Sequence, residues 1–169
     1  RGNRVRVDVE LKARNELRPI KSRVNVRSDA FKQNYAHSVV QLASLQEALA
    51  QARVGGGEKY NARHLAKGKL LPRERMELIL DRDSYFLELC PLAGHTVKGV
   101  GTGAGVLGGI GIVNGVECLV TASEATMKGG AINEYGLRKS PRLAEIGEQN
   151  RLPGIRLIES AGAERPNEP

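Results

Sequence analysis

The sequence predicts an α/β protein, and three observations predict it. Residues 28–54 carry apolar side chains at helical spacing. Two apolar runs flank Asn114-Gly115, a pair in which both residues tolerate the positive φ of a tight hairpin turn. After that hairpin the order strand, small-residue corner, helix, strand, corner reads as an α/β crossover.

The totals fit one domain. The chain has 169 residues, 40% of them hydrophobic, which is enough for a core. Aromatic residues make up only 4% and there is no Trp, so stacking on nucleic-acid bases is poorly provided for. No apolar run reaches the roughly 18 residues of a membrane span. The first residues, Arg1-Gly-Asn-Arg-Val-Arg, contain no apolar stretch of a secretory signal. The chain does not start with Met, and reads as a processed or cut product. Cys90 and Cys118 lie in apolar surroundings within expected strands. Two cysteines make no zinc framework, so they are expected to be buried free thiols in a reducing compartment.

Taken in order, residues 1–27 give no convincing element and are expected to form a poorly ordered basic leader. The first thirty residues hold nine Lys/Arg against four acids, so +5 of the net +7 resides there. Nucleic-acid binding through residues 1–75 ranks last among the readings, because the charges have no periodicity and no interleaved aromatics. Ser28-Asp29 is an N-cap with an acid in the first turn. Phe31, Tyr35, Val39, Leu42, Leu45 and Leu49 then mark an amphipathic helix, expected to pack or to dock subunits. Gly55-Gly-Gly stops it. Residues 58–75 are strongly basic, with Lys59, Arg63, His64, Lys67, Lys69, Arg73 and Arg75. They read either as a solvated loop and helix start or as a cationic patch for phosphates, without the glycine spacing of a P-loop. Pro72 opens a helix over residues 72–80, and Phe86–Cys90 is a short strand.

Gly103, Gly105 and Gly108 formally match a dinucleotide fingerprint. That fingerprint needs a strand before it and a helix after it, whereas here a loop precedes and a hairpin follows. His95 in this loop is expected to be solvated. The hairpin runs from Gly105 to Ser123 and delivers the corner Lys128-Gly129-Gly130-Ala131. A helix follows over 134–150, with Leu137, Leu143 and Ile146 inward and Pro141 expected to kink it or delay its start. A strand over 154–159 then ends in Ser160-Ala161-Gly162-Ala163. Two strands that each deliver a backbone corner suggest a site built from main-chain donors. No nucleophile elbow surrounds Ser160, so it is not assigned a catalytic role.

Residues 55–75, Asn114-Gly-Val-Glu-Cys118, Ala125-Thr-Met-Lys-Gly-Gly-Ala131, Gln149-Asn-Arg-Leu-Pro153 and Ile158-Glu-Ser-Ala-Gly-Ala163 together carry a resemblance. They resemble the N-terminal region of the carboxyltransferase (β) subunits of biotin-dependent acyl-CoA carboxylases, over about residues 28–165. The Lys-Gly-Gly-Ala form looks more like the methylcrotonyl-CoA and geranyl-CoA branch than the propionyl-CoA branch.

The resemblance implies a crotonase-like (ClpP/crotonase) fold of ββα units, incomplete, with residues 28–169 as the truncated N-terminal portion of the N-domain. It implies a ligase reaction in which carboxybiotin releases CO2, the biotin ureido group takes a proton from the acyl-CoA, and the enolate attacks CO2. It further implies that Ala161 and Gly162 supply a backbone oxyanion hole, a device worth about 2.7–4 kcal/mol per donor. Lys128, Gly129, Gly130, Ala131 and Ala163 would then bind the acyl-CoA. Lys128 reads equally as a CoA-phosphate contact or a salt bridge. Biotin would come on a partner, the biotin carboxylase/biotin carrier α subunit, with other copies of the chain as further partners, no nucleic acid, no membrane and no metal. The implied compartment is the cytoplasm, or the mitochondrial matrix in a eukaryote. The alternative is a non-catalytic remnant that acts as an interaction or CoA-binding module.

Overall fold

Local signals decide most element boundaries in the computed structural model, which describes residues 21–162. The leader expected over 1–27 therefore lies largely outside the described residues, as does Ala163. The chain divides into two units, residues 1–41 and residues 42–169, and helix α1 (Asp29–Val54) runs from the first into the second. Ser28 caps it, its hydroxyl accepting the Phe31 N–H at 3.2 Å. The rings of Phe31 and Tyr35 stack at 6.2 Å, as residues four apart on a helix do. The expected packing of the apolar stripe does not occur. Tyr35, Val39, Leu42 and Leu45 are exposed, and the buried residues of α1 are Ala48 and Ala52. Residues 21–41 contain no second element that could cover the face.

In the second unit, helix α2 (Glu58–Leu65) follows the glycine stop and α3 (Pro72–Ile79) opens with Pro72 at its first position. Glu74 reaches back to accept the Leu71 N–H at 2.7 Å. Strands β1 (Phe86–Glu88), β2 (Val106–Val113), β3 (Val116–Ser123) and β4 (Gly154–Leu157) form one sheet in the order β1-β2-β3-β4. The first two pairings are antiparallel and the last is parallel. Helix α4 (Glu134–Gln149) connects the parallel pair, so β2, β3 and α4 make one ββα unit. Val113 faces Val116 across the hairpin, and both turn residues have positive φ, 54° at Asn114 and 75° at Gly115. The Asp81 carboxylate accepts both turn N–H groups at 2.7 Å, which fixes the register from outside the hairpin.

Alternation along β3 sends side chains to opposite faces. Cys118, Val120 and Ala122 pack with Met76 of α3 and with Leu107. Leu119 lies under Gly147 of α4, where a Cβ would stand 2.9 Å from its Cδ2. Helices α3 and α4 thus cover the two faces.

Four details differ from expectation. Cys90 is exposed, because β1 ends at Glu88 and Cys90 turns the chain with φ 51°. Residues 58–65 form a helix rather than a loop. Leu137 is 58% exposed, and Gly136, Lys139, Leu143 and Gly147 form the inward side of α4. Helix α4 also starts at Glu134 and continues through Pro141. Proline removes the donor for the Leu137 carbonyl, but both residues lie on the exposed side of the helix.

Candidate functional site

Both small-residue corners emerge from the ends of parallel neighbours, so the sheet brings them together. The first follows β3 as a short 3-10 turn, Lys128–Gly130. Its three residues all have positive φ (46°, 66° and 74°). At Gly130 no other residue fits, since a Cβ would lie 2.1 Å from the Glu159 carbonyl oxygen. The second corner follows β4, with Gly162 at φ 104°.

The corners hold each other through two backbone bonds. Ala161 N–H donates to the Gly129 carbonyl at 3.0 Å, and Ile132 N–H donates to the Gly162 carbonyl at 3.0 Å. Lys128, Gly129, Gly130, Ala131, Ala161 and Gly162 therefore form one cluster. Both donors expected at an oxyanion hole are engaged. Ala161 N–H belongs to the lock, and Gly162 N–H donates to its neighbour's hydroxyl, Ser160 Oγ, at 3.0 Å.

Two cavities flank the first corner. One, of about 210 Å³, opens between the sheet and α4 and is predominantly apolar. Leu119, Ala122, Ile132, Leu143 and Leu157 line it, and Gly130 and Ser160 stand at its edge. The other, of about 280 Å³, is lined among the described residues by Tyr60, Arg63, His64, Lys67, Thr126, Lys128 and the Gly129 backbone.

Sequence reasoning missed the residues that brace the cluster. Glu159 is the largest omission. Its carboxylate takes Lys69 Nζ at 2.6 Å, Arg75 at 3.6 Å and the buried His64 ring at 3.9 Å. The hydrogen bond from Lys69 holds the Glu159 carboxyl below its ordinary range, against the opposing pull of partial burial. The only sequence signal was a single acid beside the second corner, far along the chain from a run of bases. Gly56 is the second omission. Its N–H donates to Thr126 Oγ1 at 2.9 Å, and a Cβ there would stand 2.1 Å from the Thr126 carbonyl oxygen. The glycines that stop α1 thus support the approach to the first corner. Lys139 was missed too, and it holds the loop that enters β2 rather than the corners. It is 4% exposed and donates to the Val106 and Gly103 carbonyls at 2.6 and 3.3 Å. Burial pushes its pKa down to about 8.

The basic segment is divided in use. Arg73 makes a bidentate pair with Glu88, both contacts at 2.9 Å, and Lys69 and Arg75 go to Glu159. Gly108 sits within β2 opposite Thr121, so Gly103 to Gly108 is not a dinucleotide loop. His95 contacts Thr102 Oγ1 at 3.3 Å and stands outside the cluster. Among the described residues no three His, Cys, Asp or Glu side chains gather as a metal site, and no helix is long and apolar enough to cross a membrane.

A family model described as carboxyl transferase domain matches residues 63–168. The probable biotin-dependent acyl-coenzyme A carboxylase beta2 subunit of Mycobacterium tuberculosis is 44% identical over 149 residues, 88% of this chain and 28% of that protein. The probable mitochondrial methylcrotonoyl-CoA carboxylase beta chain of Drosophila melanogaster is 42% identical over 149 residues, 87% of this chain and 26% of that protein. The crystal structure of the P. aeruginosa geranyl-CoA carboxylase beta subunit superposes with a TM-score of 0.78 at 37% identity, over 86% of this chain and 27% of that one. The insect relative and the solved bacterial subunit bear the names of the branch to which the Lys-Gly-Gly-Ala form pointed. This chain spans about a quarter of the length of the relatives it matches.

Proposed function

The chain belongs to the carboxyl transferase domain family, with the crotonase-like fold of its structural neighbours, and from that premise we propose that it binds an acyl-CoA thioester and takes part in transfer of a carboxyl group to it. The observation that carries this reading is the pair of corners bonded to each other at the edge of an apolar cavity. The cavity takes the acyl group, of the branched methylcrotonyl kind. The thioester oxygen lies at the second corner, where negative charge develops as the α-proton leaves.

Of the two expected donors, Gly162 comes first. Its present partner is the Ser160 hydroxyl, which rotates away at the cost of one neutral hydrogen bond, about 1 kcal/mol. Ala161 N–H reaches the thioester only if the Gly129 carbonyl releases it. Gly129, Gly130 and Ala131 shape the wall of the acyl-CoA site, and Lys128 and Ala163 complete it. Biotin, when present, supplies the carboxyl group. It arrives on a partner, the biotin carboxylase/biotin carrier α subunit, and no described residue of this chain is assigned to hold it. Residues 28–169 form the N-terminal portion of the carboxyltransferase N-domain, working with other copies of the chain. The compartment follows the relatives, mitochondrial where they are named so. A second reading, a docking module, has one observation in its favour, the uncovered stripe of Tyr35, Val39 and Leu42 on α1.

Thermal unfolding tests the thioester reading. 3-Methylcrotonyl-CoA is expected to raise the melting temperature well beyond an equal concentration of sulfate, by mass action on the folded state. Equal shifts for the two would remove the acyl-CoA assignment. Ser160→Ala removes the competitor for Gly162 N–H and is expected to tighten acyl-CoA binding a few-fold, on the scale of one hydrogen bond (about 1 kcal/mol). A tenfold loss would instead make the hydroxyl part of the ligand's own recognition.

A further inference from the structure

We propose that Asn114 is a site of spontaneous deamidation, and that the Asp81 carboxylate guards it by holding the N–H of Gly115, whose nitrogen is the attacking group. This chemistry is independent of the acyl-CoA reading.

Four observations carry it. Asn114-Gly115 is the one Asn-Gly pair in the sequence, and a following residue without a Cβ leaves the backbone nitrogen open to the asparagine side chain. Both residues are exposed at the tip of the β2–β3 hairpin. A Cβ at Gly115 would meet nothing within 4 Å, so water reaches the turn from outside. Among the described residues no partner holds the Asn114 side-chain amide, which leaves it free to turn toward the backbone. The two turn N–H groups, by contrast, are both taken by one carboxylate. Asn114 N–H donates to Asp81 Oδ1 and Gly115 N–H to Asp81 Oδ2, each at 2.7 Å. Asp81 is itself anchored, because its own N–H donates to the Ile112 carbonyl at 2.8 Å. Among the described residues no base forms an ion pair with it.

The reaction is an intramolecular displacement followed by hydrolysis. The Gly115 nitrogen gives up its proton and attacks the side-chain carbonyl carbon of Asn114. The new C–N bond closes a five-membered succinimide, and the side-chain nitrogen takes up a proton and leaves as ammonia. Water then opens the ring. Attack at the side-chain carbonyl leaves aspartate, and attack at the backbone carbonyl leaves isoaspartate, in which the main chain runs through the side-chain carbon. The first proton loss is the step that Asp81 opposes. It would set a second negative charge beside the carboxylate and break a charge-assisted hydrogen bond. Once modified, the turn loses its clamp, since residue 114 then carries a carboxylate facing that of Asp81. Isoaspartate also lengthens a two-residue turn by one backbone atom, between Val113 and its partner Val116. Strand β3 runs from that turn to the first corner, so the damage is carried toward the site.

Two rates measured on the full chain test this, with a synthetic peptide of residues 110–118 as the unguarded reference. Base-catalysed amide hydrogen exchange passes through the same deprotonated nitrogen. The Gly115 N–H, although exposed, is therefore expected to exchange about tenfold or more slowly in the chain than in the peptide, on the scale of one hydrogen bond to a charged group. Conversion of Asn114 to aspartate and isoaspartate, followed by peptide mass mapping, is expected to be slowed by a similar factor. Asp81→Asn keeps an acceptor in place and removes the charge. It is expected to bring both rates toward those of the peptide at temperatures where circular dichroism shows the variant folded. Chain rates equal to the peptide rates overturn the guard. Rates in folded Asp81→Asn as slow as in the unaltered chain also overturn it, and leave the protection to the turn conformation alone. If Asp81→Asn does not fold, the Gly115 exchange rate in the unaltered chain decides. In the heat-unfolded chain Asn114 is expected to convert ahead of Asn133 and Asn150, and a rate no faster than theirs removes the site itself.

Discussion

At the scale of single residues, Gly129 and Gly130 look alike in sequence but carry different loads. Both have positive φ, so an alanine at either one costs about 1–2 kcal/mol in backbone strain. At Gly129 that is nearly the whole cost, since the new Cβ would sit 3.5 Å from Ala161 Cβ, an ordinary contact. At Gly130 the Cβ would stand 2.1 Å from the Glu159 carbonyl oxygen, which the two corners cannot absorb without separating. Gly130→Ala is therefore expected to cost about 3 kcal/mol or more and to abolish acyl-CoA binding. Gly129→Ala is expected to cost about 1–2 kcal/mol and to keep measurable binding. Urea unfolding and ligand titration of the two variants check this. Equal losses would mean that the corners are not locked as described.

Among the elements, those with local signals were legible in the sequence. Ser28 starts α1, Asn114-Gly115 closes the hairpin, and Pro72 opens α3 where its missing N–H does no harm. The corners were legible because a strand followed by small residues has few other uses. Covering of a face was not legible, because it depends on what lies opposite. The stripe on α1 and the place of Leu137 on α4 were misread for that reason, whereas Leu143 is buried as expected. The inward side of α4 carries Lys139, a residue that its charge alone would place in water. Its charge is buried under the loop that enters β2, where Glu88 and Cys90 favour it and Arg73 opposes it. Its pKa is lowered from 10.5 to about 8, so keeping it charged in the fold costs roughly 3 kcal/mol at neutral pH. The unfolded chain binds this proton more tightly than the folded one, so the penalty is relieved as pH rises from about 8 toward 10.5. The stability of the unaltered chain relative to Lys139→Met is thus expected to increase by roughly 2–3 kcal/mol between about pH 7 and about pH 10. Urea unfolding at the two pH values reads the change directly. A difference that does not vary with pH would place the Lys139 amine in contact with solvent.

At the scale of the whole second unit, Glu159 is where distant segments meet. Its side chain gathers α2 through His64, the turn after it through Lys69, and α3 through Arg75. Its backbone carries the second corner and closes over Gly130. The sequence could not show this, since Lys69 and Glu159 are 90 residues apart and nothing in either neighbourhood marks the other. The arrangement makes the basic segment part of the support of the site. Such a hub has a pH signature. The Glu159 carboxyl is held below its ordinary range, chiefly by Lys69, so its contribution is complete above the unfolded value near 4.5 and is lost as pH falls through the folded value. Glu159→Gln keeps the shape of the side chain and removes its charge. The variant is expected to be less stable than the unaltered chain near neutral pH, and the gap is expected to narrow as pH falls below about 4.5. The hub fixes the second corner, so the same variant is expected to weaken acyl-pantetheine binding although Glu159 touches no part of that ligand. A Glu159→Gln variant with unaltered acyl-pantetheine affinity and a pH-independent stability would show that the three bases fold correctly without it, and that the corner is held by its backbone lock alone.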